Sequence, residues 1–370
     1  MINKNKEIEK YKALTLRSLK HKVKELKRDF LEEKQKSITY SRNFTLSLSN
    51  YCINNCGYCY YKYTIPKQKI SKNVTLLAMK DAKKLIKEGV KYNCKEALIM
   101  SGEQPESFSE VKKELKWRGH QNYLEYVQKI CKDLLKAKLL PHTNIGYLSF
   151  EEMRRLKAYN ASMGLMLEST SDTLFGKGGV HEFSPGKRPE KRIEHIKNAG
   201  KLKIPFTSGL LLGIGESFDD CIRDLFLLKG LHEQYGHLQE IIIQNFEYKK
   251  GISYIPQKPL IMENMLKIVG VAKLIFQEEL AIQVPPNLIR GYEEHFLKMG
   301  IDDLGGISPF TQDFINPEKE WPKITYLRTL LAKNGYVLKE RFPIYKRFIK
   351  KKGFCPKNIQ KIVNSYNHLI

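Results

Sequence analysis

Three observations predict an α/β protein folded as one (β/α) TIM-type barrel. Short β-like runs alternate with longer helical patterns eight times, no linker or low-complexity tract interrupts them, and 370 residues at 42% hydrophobic content can build one large core. The expected divisions are a basic helical N-terminal extension over 1–40, the barrel over 41–335 and a basic helical C-terminal tail over 336–370.

Each element has its own signature. Over 7–34, Ile8, Tyr11, Leu19, Val23, Leu26 and Phe30 recur mostly at three- and four-residue steps, the stripe of an amphipathic helix lying on the main body and helping to cap the barrel. Strands are expected at FTLSLS (44–49), EALIMSG (96–102), LLPHTN (139–144), ASMGLMLE (161–168), FTSGLLLG (206–213), LQEIIIQNF (238–246), LAIQVPPN (280–287) and around DDLGG (302–306). Helical patterns occupy 76–88, 123–136, 188–201, 218–233 and 262–278. Barrel enzymes keep their chemistry at the carboxyl ends of the strands. The polar and glycine-rich clusters fall there, from SGEQPE (101–106) to DDLGGISP (302–309), and imply an enzyme acting on a sizeable polar small molecule. Pro285 and Pro286 read either as strand stops or as rigid supports for Gln283 and Asn287, and Gly305-Gly306 reads as a tight turn.

Charge and cysteine usage narrow the class. Of a formal net charge of +24, most sits at the ends: residues 1–37 carry twelve Lys/Arg against six Asp/Glu, and residues 339–361 carry nine against one. Lysine dominates these tracts, which suits a solvated surface better than bidentate phosphate or base contacts and disfavours a nucleic-acid partner. No signal-peptide pattern and no run of about 18 apolar residues is visible, so a cytoplasmic chain without membrane association is expected. Cys94, Cys131, Cys221 and Cys355 are scattered and read as buried thiols.

The remaining three cysteines lie within eight residues, in NYCINNCGYCYY (50–61). Structural zinc wants four ligands, usually in two paired clips, and no second CxxC or HxxxH lies at a matching distance. Disulfides conflict with the reducing compartment and the odd count. An iron–sulfur cluster on three thiolates, with its fourth iron open, accounts for both number and spacing.

Cys52, Cys56 and Cys59 form C-x3-C-x2-C with Tyr58 before the last cysteine, which resembles the radical S-adenosylmethionine (SAM) superfamily. The resemblance implies a 4Fe–4S cluster on these three cysteines, SAM as cosubstrate and a barrel of the radical SAM class. It implies SAM contacts at Tyr58, at Gly102 and Glu103 of SGEQPE, and at Leu211, Gly213 and Glu216 of G-x-L-x-G-x-x-E, with leucine replacing the usual isoleucine. Glu168, after the fourth strand, is expected to accept hydrogen bonds from ribose hydroxyls.

Further blocks, including SPGKRPEKRIEHIKNAGKLKIPFTSGLLLGIGES and IDDLGGISPFTQDFINPEKEWP, are similar to the CofG-type first-subunit family of 7,8-didemethyl-8-hydroxy-5-deazariboflavin (FO) synthase, over about residues 40–345. That resemblance implies conversion of a tyrosine–ribityluracil adduct, supplied by a second subunit, into FO for coenzyme F420. A 5'-deoxyadenosyl radical abstracts benzylic hydrogen, ammonia leaves, and a low-potential donor provides the electron. For the ribityl hydroxyls and uracil edge, Thr143, Asn144, Asn245, Gln283 and Asn287 are the expected contacts, and His142 or Asp302 the proton acceptor. Three other readings share some features. An RNA-modifying radical SAM enzyme would carry an appended RNA-binding module, an electron carrier would saturate its cluster with a fourth cysteine, and a sister enzyme would act on another tyrosine- or purine-derived substrate.

Overall fold

A computed structural model describes residues 4–30, 36–62 and 74–366. Eight parallel strands close on themselves: β1 (Ser37–Ser47), β2 (Glu96–Met100), β3 (Leu140–Asn144), β4 (Ser162–Gly164), β5 (Phe206–Leu212), β6 (Leu238–Asn245), β7 (Ala281–Gln283) and β8 (Asp303–Ile307), which returns to pair with β1. The helices Met79–Lys91, Tyr123–Lys136, Phe150–Lys157, Pro189–Lys201, Phe218–Tyr235 and Met262–Phe276 follow successive strands. The barrel expected from the alternation is therefore present.

Local chemistry sets the element ends. Asn122 caps Tyr123–Lys136 by accepting from the Glu125 N–H at 2.9 Å. Ser217 and Asp220 form a reciprocal capping box at the start of Phe218–Tyr235, and Gly236, with φ of 59°, ends that helix in the left-handed conformation. β5 is buried along its whole length, as a strand of a parallel sheet covered on both faces should be. β4 and β7 are only three residues long, yet the chain past Gly164 still runs beside β5, the Leu165 N–H donating to the Thr207 carbonyl at 3.0 Å and the Glu168 N–H to that of Gly209 at 2.9 Å.

Both termini differ from expectation. The N-terminal stripe forms two helices, Lys4–Lys12 and Leu16–Phe30, because Thr15 starts a new one, its Oγ1 accepting from the Ser18 N–H at 3.2 Å. Residues 31–34 of that stripe lie outside the described residues. Leu19 packs beside Gly270 of the outer helix Met262–Phe276, and Lys27 Nζ donates to the Ile301 carbonyl at 3.3 Å. The second helix thus covers the flank and the amino end of the barrel and does not cap its mouth.

The tail expected to be helical opens with a ninth strand, β9 (Val337–Glu340), parallel to the lower half of β1 with Ser37 opposite Val337 and Tyr40 opposite Glu340. Arg341 then turns under the barrel. Its guanidinium binds Asp303 at 2.5 and 2.8 Å and Glu240 at 2.8 Å. The Pro343 carbonyl accepts from Ser162 Oγ at 2.7 Å and Gln239 Nε2 at 2.8 Å. The segment closes the amino end of the barrel, and Phe342, Ile344, Phe348 and Ile359 build a small core against Leu140 and Ala161.

Arg341→Met leaves Asp303 and Glu240 buried without their counter-charge, and is expected to cost about 3–5 kcal/mol of unfolding free energy. Adding Asp303→Asn to that variant should recover part of the loss in urea unfolding.

Candidate active site

One cavity of about 400 Å³ runs inside the barrel, from the cysteine loop at the carboxyl ends of the strands down to Glu240, Arg341 and Pro343. Side chains alternate along each strand, so every second residue faces it.

The cysteine loop follows β1 and is shaped by bonds to three neighbouring segments. The Ile53 N–H donates to the Glu103 carbonyl at 3.0 Å, Asn55 to Phe183 at 2.9 Å and Gly57 to Val180 at 2.7 Å, while Tyr254 donates back to Gly57 at 3.1 Å. Cys52, Cys56 and Cys59 are free and all line the cavity. Cys52 Sγ accepts from the Glu103 N–H at 3.2 Å and Cys56 Sγ from the Ser184 hydroxyl at 3.3 Å, bonds of the kind that tune cluster sulfurs. Burial pushes the Cys56 thiol up to about 12, with Lys187 opposing the shift. Among the described residues, no three His, Cys, Asp or Glu side chains converge on one ion-sized point, as tetrahedral zinc would need. Three thiols spaced around one pocket suit the larger body of a cluster.

Gly102 is required where it stands. Its N–H donates to the Ser49 carbonyl at 2.7 Å, and a Cβ there would lie 2.0 Å from the Tyr51 oxygen and 2.8 Å from Cys52 Cβ. The adjacent Glu103 is 4% exposed, and among the described residues neither carboxylate oxygen has a hydrogen-bond partner. Arg192 Nη2 is 3.8 Å away, and a Cβ at Gly186 would meet Oε1 at 1.6 Å. A buried, unbonded carboxylate beside the cysteines fits the ammonium group of a SAM methionine.

Glu168 sits at φ 66° four residues past β4, bridged to Leu210. Its carboxylate accepts from Lys187, from the Tyr58 hydroxyl at 2.5 Å and lies 3.3 Å from His181 Nε2. Burial alone would raise this carboxyl, but Lys187, His181 and Arg192 outweigh it and hold it well below the usual range. Leu211 packs with Leu174, Val180 and Ile214, against Phe246 and Tyr254, making an apolar wall beside the cysteines that suits a flat heterocycle. Gly213 and Glu216 do not line the cavity. The Glu216 carboxylate accepts from the N–H groups of Gly213 at 2.7 Å and Ile214 at 2.9 Å, fastening the turn after β5.

The deeper candidates divide. His142, Asn144, Asn245 and Gln283 line the cavity. Three others are corrected by the geometry. Thr143 points outward between two inward neighbours, its hydroxyl donating to Asn160 at 2.6 Å. Asn287 is 1% exposed and holds Asp313 at 2.9 Å, pinning the loop after β8. Asp302 precedes β8 at the amino end, where Lys273 Nζ at 3.0 Å and the Ile282 N–H at 2.9 Å occupy its carboxylate, so it cannot be the proton acceptor. Arg192 and Lys187 were not foreseen. They belong to the run PGKRPEKR at the start of a helical pattern, from which no site residue was singled out.

Gly102→Ala is expected to lower the iron retained after anaerobic reconstitution about tenfold or more, because its Cβ displaces the loop that carries Cys52. Iron and sulfide analysis checks this, with circular dichroism as the fold control.

Residues 46–228 match the family model of the radical SAM superfamily. The chain is 42% identical over 364 residues to a 7,8-didemethyl-8-hydroxy-5-deazariboflavin synthase from Methanocaldococcus jannaschii, covering 98% of each chain. It is 44% identical over 332 residues to one from Methanococcus maripaludis, covering 90% of this chain and 98% of that one. The FeFe-hydrogenase maturase HydG from Carboxydothermus hydrogenoformans shares the fold at a TM-score of 0.73 and 17% identity, over 99% of this chain and 84% of that one. Methylornithine synthase (PylB) does so at 0.65 and 17%, over 91% and 94%. The chain therefore belongs to the radical SAM superfamily and, within it, to the family of 7,8-didemethyl-8-hydroxy-5-deazariboflavin synthases.

Proposed function

We propose that this chain is the radical SAM subunit of FO synthase, a carbon–nitrogen lyase that converts 5-amino-5-(4-hydroxybenzyl)-6-(D-ribitylimino)-5,6-dihydrouracil into FO with release of ammonia. The observation that carries this reading is 42% identity across 98% of a relative bearing the FO synthase name. The single cavity that joins the cysteine loop to a polar interior supports it. A second subunit would supply the adduct, and a low-potential carrier the electron.

Cys52, Cys56 and Cys59 would hold a 4Fe–4S cluster. When bound, the cluster and SAM supply oxidation by hydrogen-atom abstraction from carbon. The protein's own work is binding, orientation and proton transfer. Glu103 accepts the SAM ammonium, Leu211 backs the adenine, and Glu168 accepts ribose hydroxyls where Lys187 yields. Tyr58 orients Glu168 through its 2.5 Å bond.

His142 is the proton acceptor in this reading. The Ser162 hydroxyl donates its one proton to the Pro343 carbonyl, so at 2.6 Å from His142 it accepts the Nδ1–H. Nε2 then carries the lone pair. Burial lowers the imidazole pKa and leaves the ring neutral near pH 7, as a base for the proton lost on ring closure or aromatisation requires.

Anaerobic reconstitution with iron, sulfide, SAM, a strong reductant and the adduct should yield 5'-deoxyadenosine and fluorescent FO together, each dependent on the adduct. 5'-Deoxyadenosine without FO would leave the superfamily chemistry and remove the substrate assignment, in favour of a sister enzyme. His142→Gln should slow FO formation by about 10²-fold or more while 5'-deoxyadenosine is still released, as single-turnover quenching with mass spectrometry would read.

A further inference from the structure

The two carboxylates deep in the cavity are treated differently. Glu240 is saturated: Thr207 donates at 2.7 Å, Arg341 at 2.8 Å and Tyr345 at 2.9 Å. Glu96 is 7% exposed and lines the same cavity, yet bonds to no described residue. Two primary amides share its situation. Asn43 is 4% exposed, its Oδ1 unpartnered among the described residues, and the Gln283 amide, 7% exposed, makes no bond to any of them.

These three groups form one arc of wall. Asn43 on β1 is directly opposite Glu96 on β2. Gly305 and Gly306 of β8 lie between β1 and β7. A Cβ at Gly306 would come within 2.0 Å of the Asn43 amide nitrogen, and one at Gly305 within 2.3 Å of the Gln283 amide nitrogen. The glycine pair is the bare surface on which both amides lie, beyond any role as a turn. Across the cavity, Leu165 and Ile242 present apolar surface.

An unbonded buried polar group costs about 1–3 kcal/mol. Keeping three together makes physical sense where a ligand bonds them. A primary amide offers one acceptor beside one donor, the complement of a cyclic imide or lactam edge, whereas a carboxylate only accepts. The ligand must therefore combine a flat ring with alternating N–H and C=O groups and a set of hydroxyl donors.

We propose that Asn43, Glu96 and Gln283 form the recognition set for the pyrimidinedione–ribityl half of the substrate, the two amides reading the ring edge and Glu96 accepting from ribityl hydroxyls. This rests on the FO synthase reading; of these three residues Gln283 was among the five contacts foreseen for that half of the substrate, and Asn43 and Glu96 are new.

The test uses the reconstituted, unreduced holoenzyme and equilibrium binding of the adduct, followed by steady-state kinetics. Gln283→Met, Asn43→Leu and Glu96→Ala should each weaken adduct binding about tenfold to a hundredfold and raise its KM, with SAM affinity unchanged. Glu96→Gln, which keeps a carbonyl acceptor, should recover part of the loss. An adduct analogue lacking the ribityl chain should bind the wild type and Glu96→Ala alike. The assignment is overturned if the wild type binds and converts the adduct while the variants retain its affinity, or if SAM affinity falls in parallel. Wild-type enzyme that neither binds nor converts the adduct overturns the FO synthase reading as well, a result visible before any variant is made.

Discussion

The site depends on the contact between the loops after β1 and β2. Where Gly102 passes Tyr51 and Cys52 there is no room for a side chain, and the closeness allows three bonds: Gly102 to Ser49, Ile53 to Glu103, and the Glu103 N–H to Cys52 Sγ. That one junction aims the first cysteine and the Glu103 carboxylate into the same space. The other cysteines are tied through Val180, Phe183 and Ser184, so the segment between β4 and β5 completes the cradle. A loop fixed from three sides is pre-organised before it meets a cofactor, which is how a protein lowers the ordering cost of binding.

Inside the barrel, the distribution of satisfied and unsatisfied groups separates scaffold from site. At the amino end Arg341, Asp303, Glu240, Thr207 and Tyr345 saturate one another, an arrangement that stiffens the floor. Toward the mouth Glu168 is likewise tied to Lys187 and Tyr58, whereas among the described residues Glu103 has only the distant Arg192.

Much of this was legible in the sequence where spacing or period carries it. The strand–helix alternation identifies the barrel, and C-x3-C-x2-C with SGEQPE identifies the cysteine loop and its neighbour, because both are contiguous stretches whose chemistry needs only local order. What depends on facing direction was less accessible. Thr143 and His142 are adjacent, and only the register of β3 decides which one faces inward. Asp302 looked like a strand-end residue because its run is short enough that either end could have been the upper one. Asn43 falls just before the run read as the first strand and Glu96 opens the second, so both lie away from the polar clusters that follow the strands. β9 was hidden because it is four residues long and ends in two charged residues, Lys339 and Glu340, the first of them exposed.

The position of β9 has a consequence for how the metal centre is made. β1 bears the cysteine loop at its upper end, and its lower end is paired with β8 and with a strand about three hundred residues downstream. During synthesis, which runs from the N-terminus, the cysteine loop and β2 leave the ribosome early, while β8 and β9, which hold the lower end of β1, leave late. Thiols on an unanchored loop are exposed to oxidation and stray metals for most of the chain's elongation. The upper end of β1 can be set early by β2, but its lower support waits for the last strand, and a premature stop before residue 337 would leave the cysteine loop on a strand lacking that support.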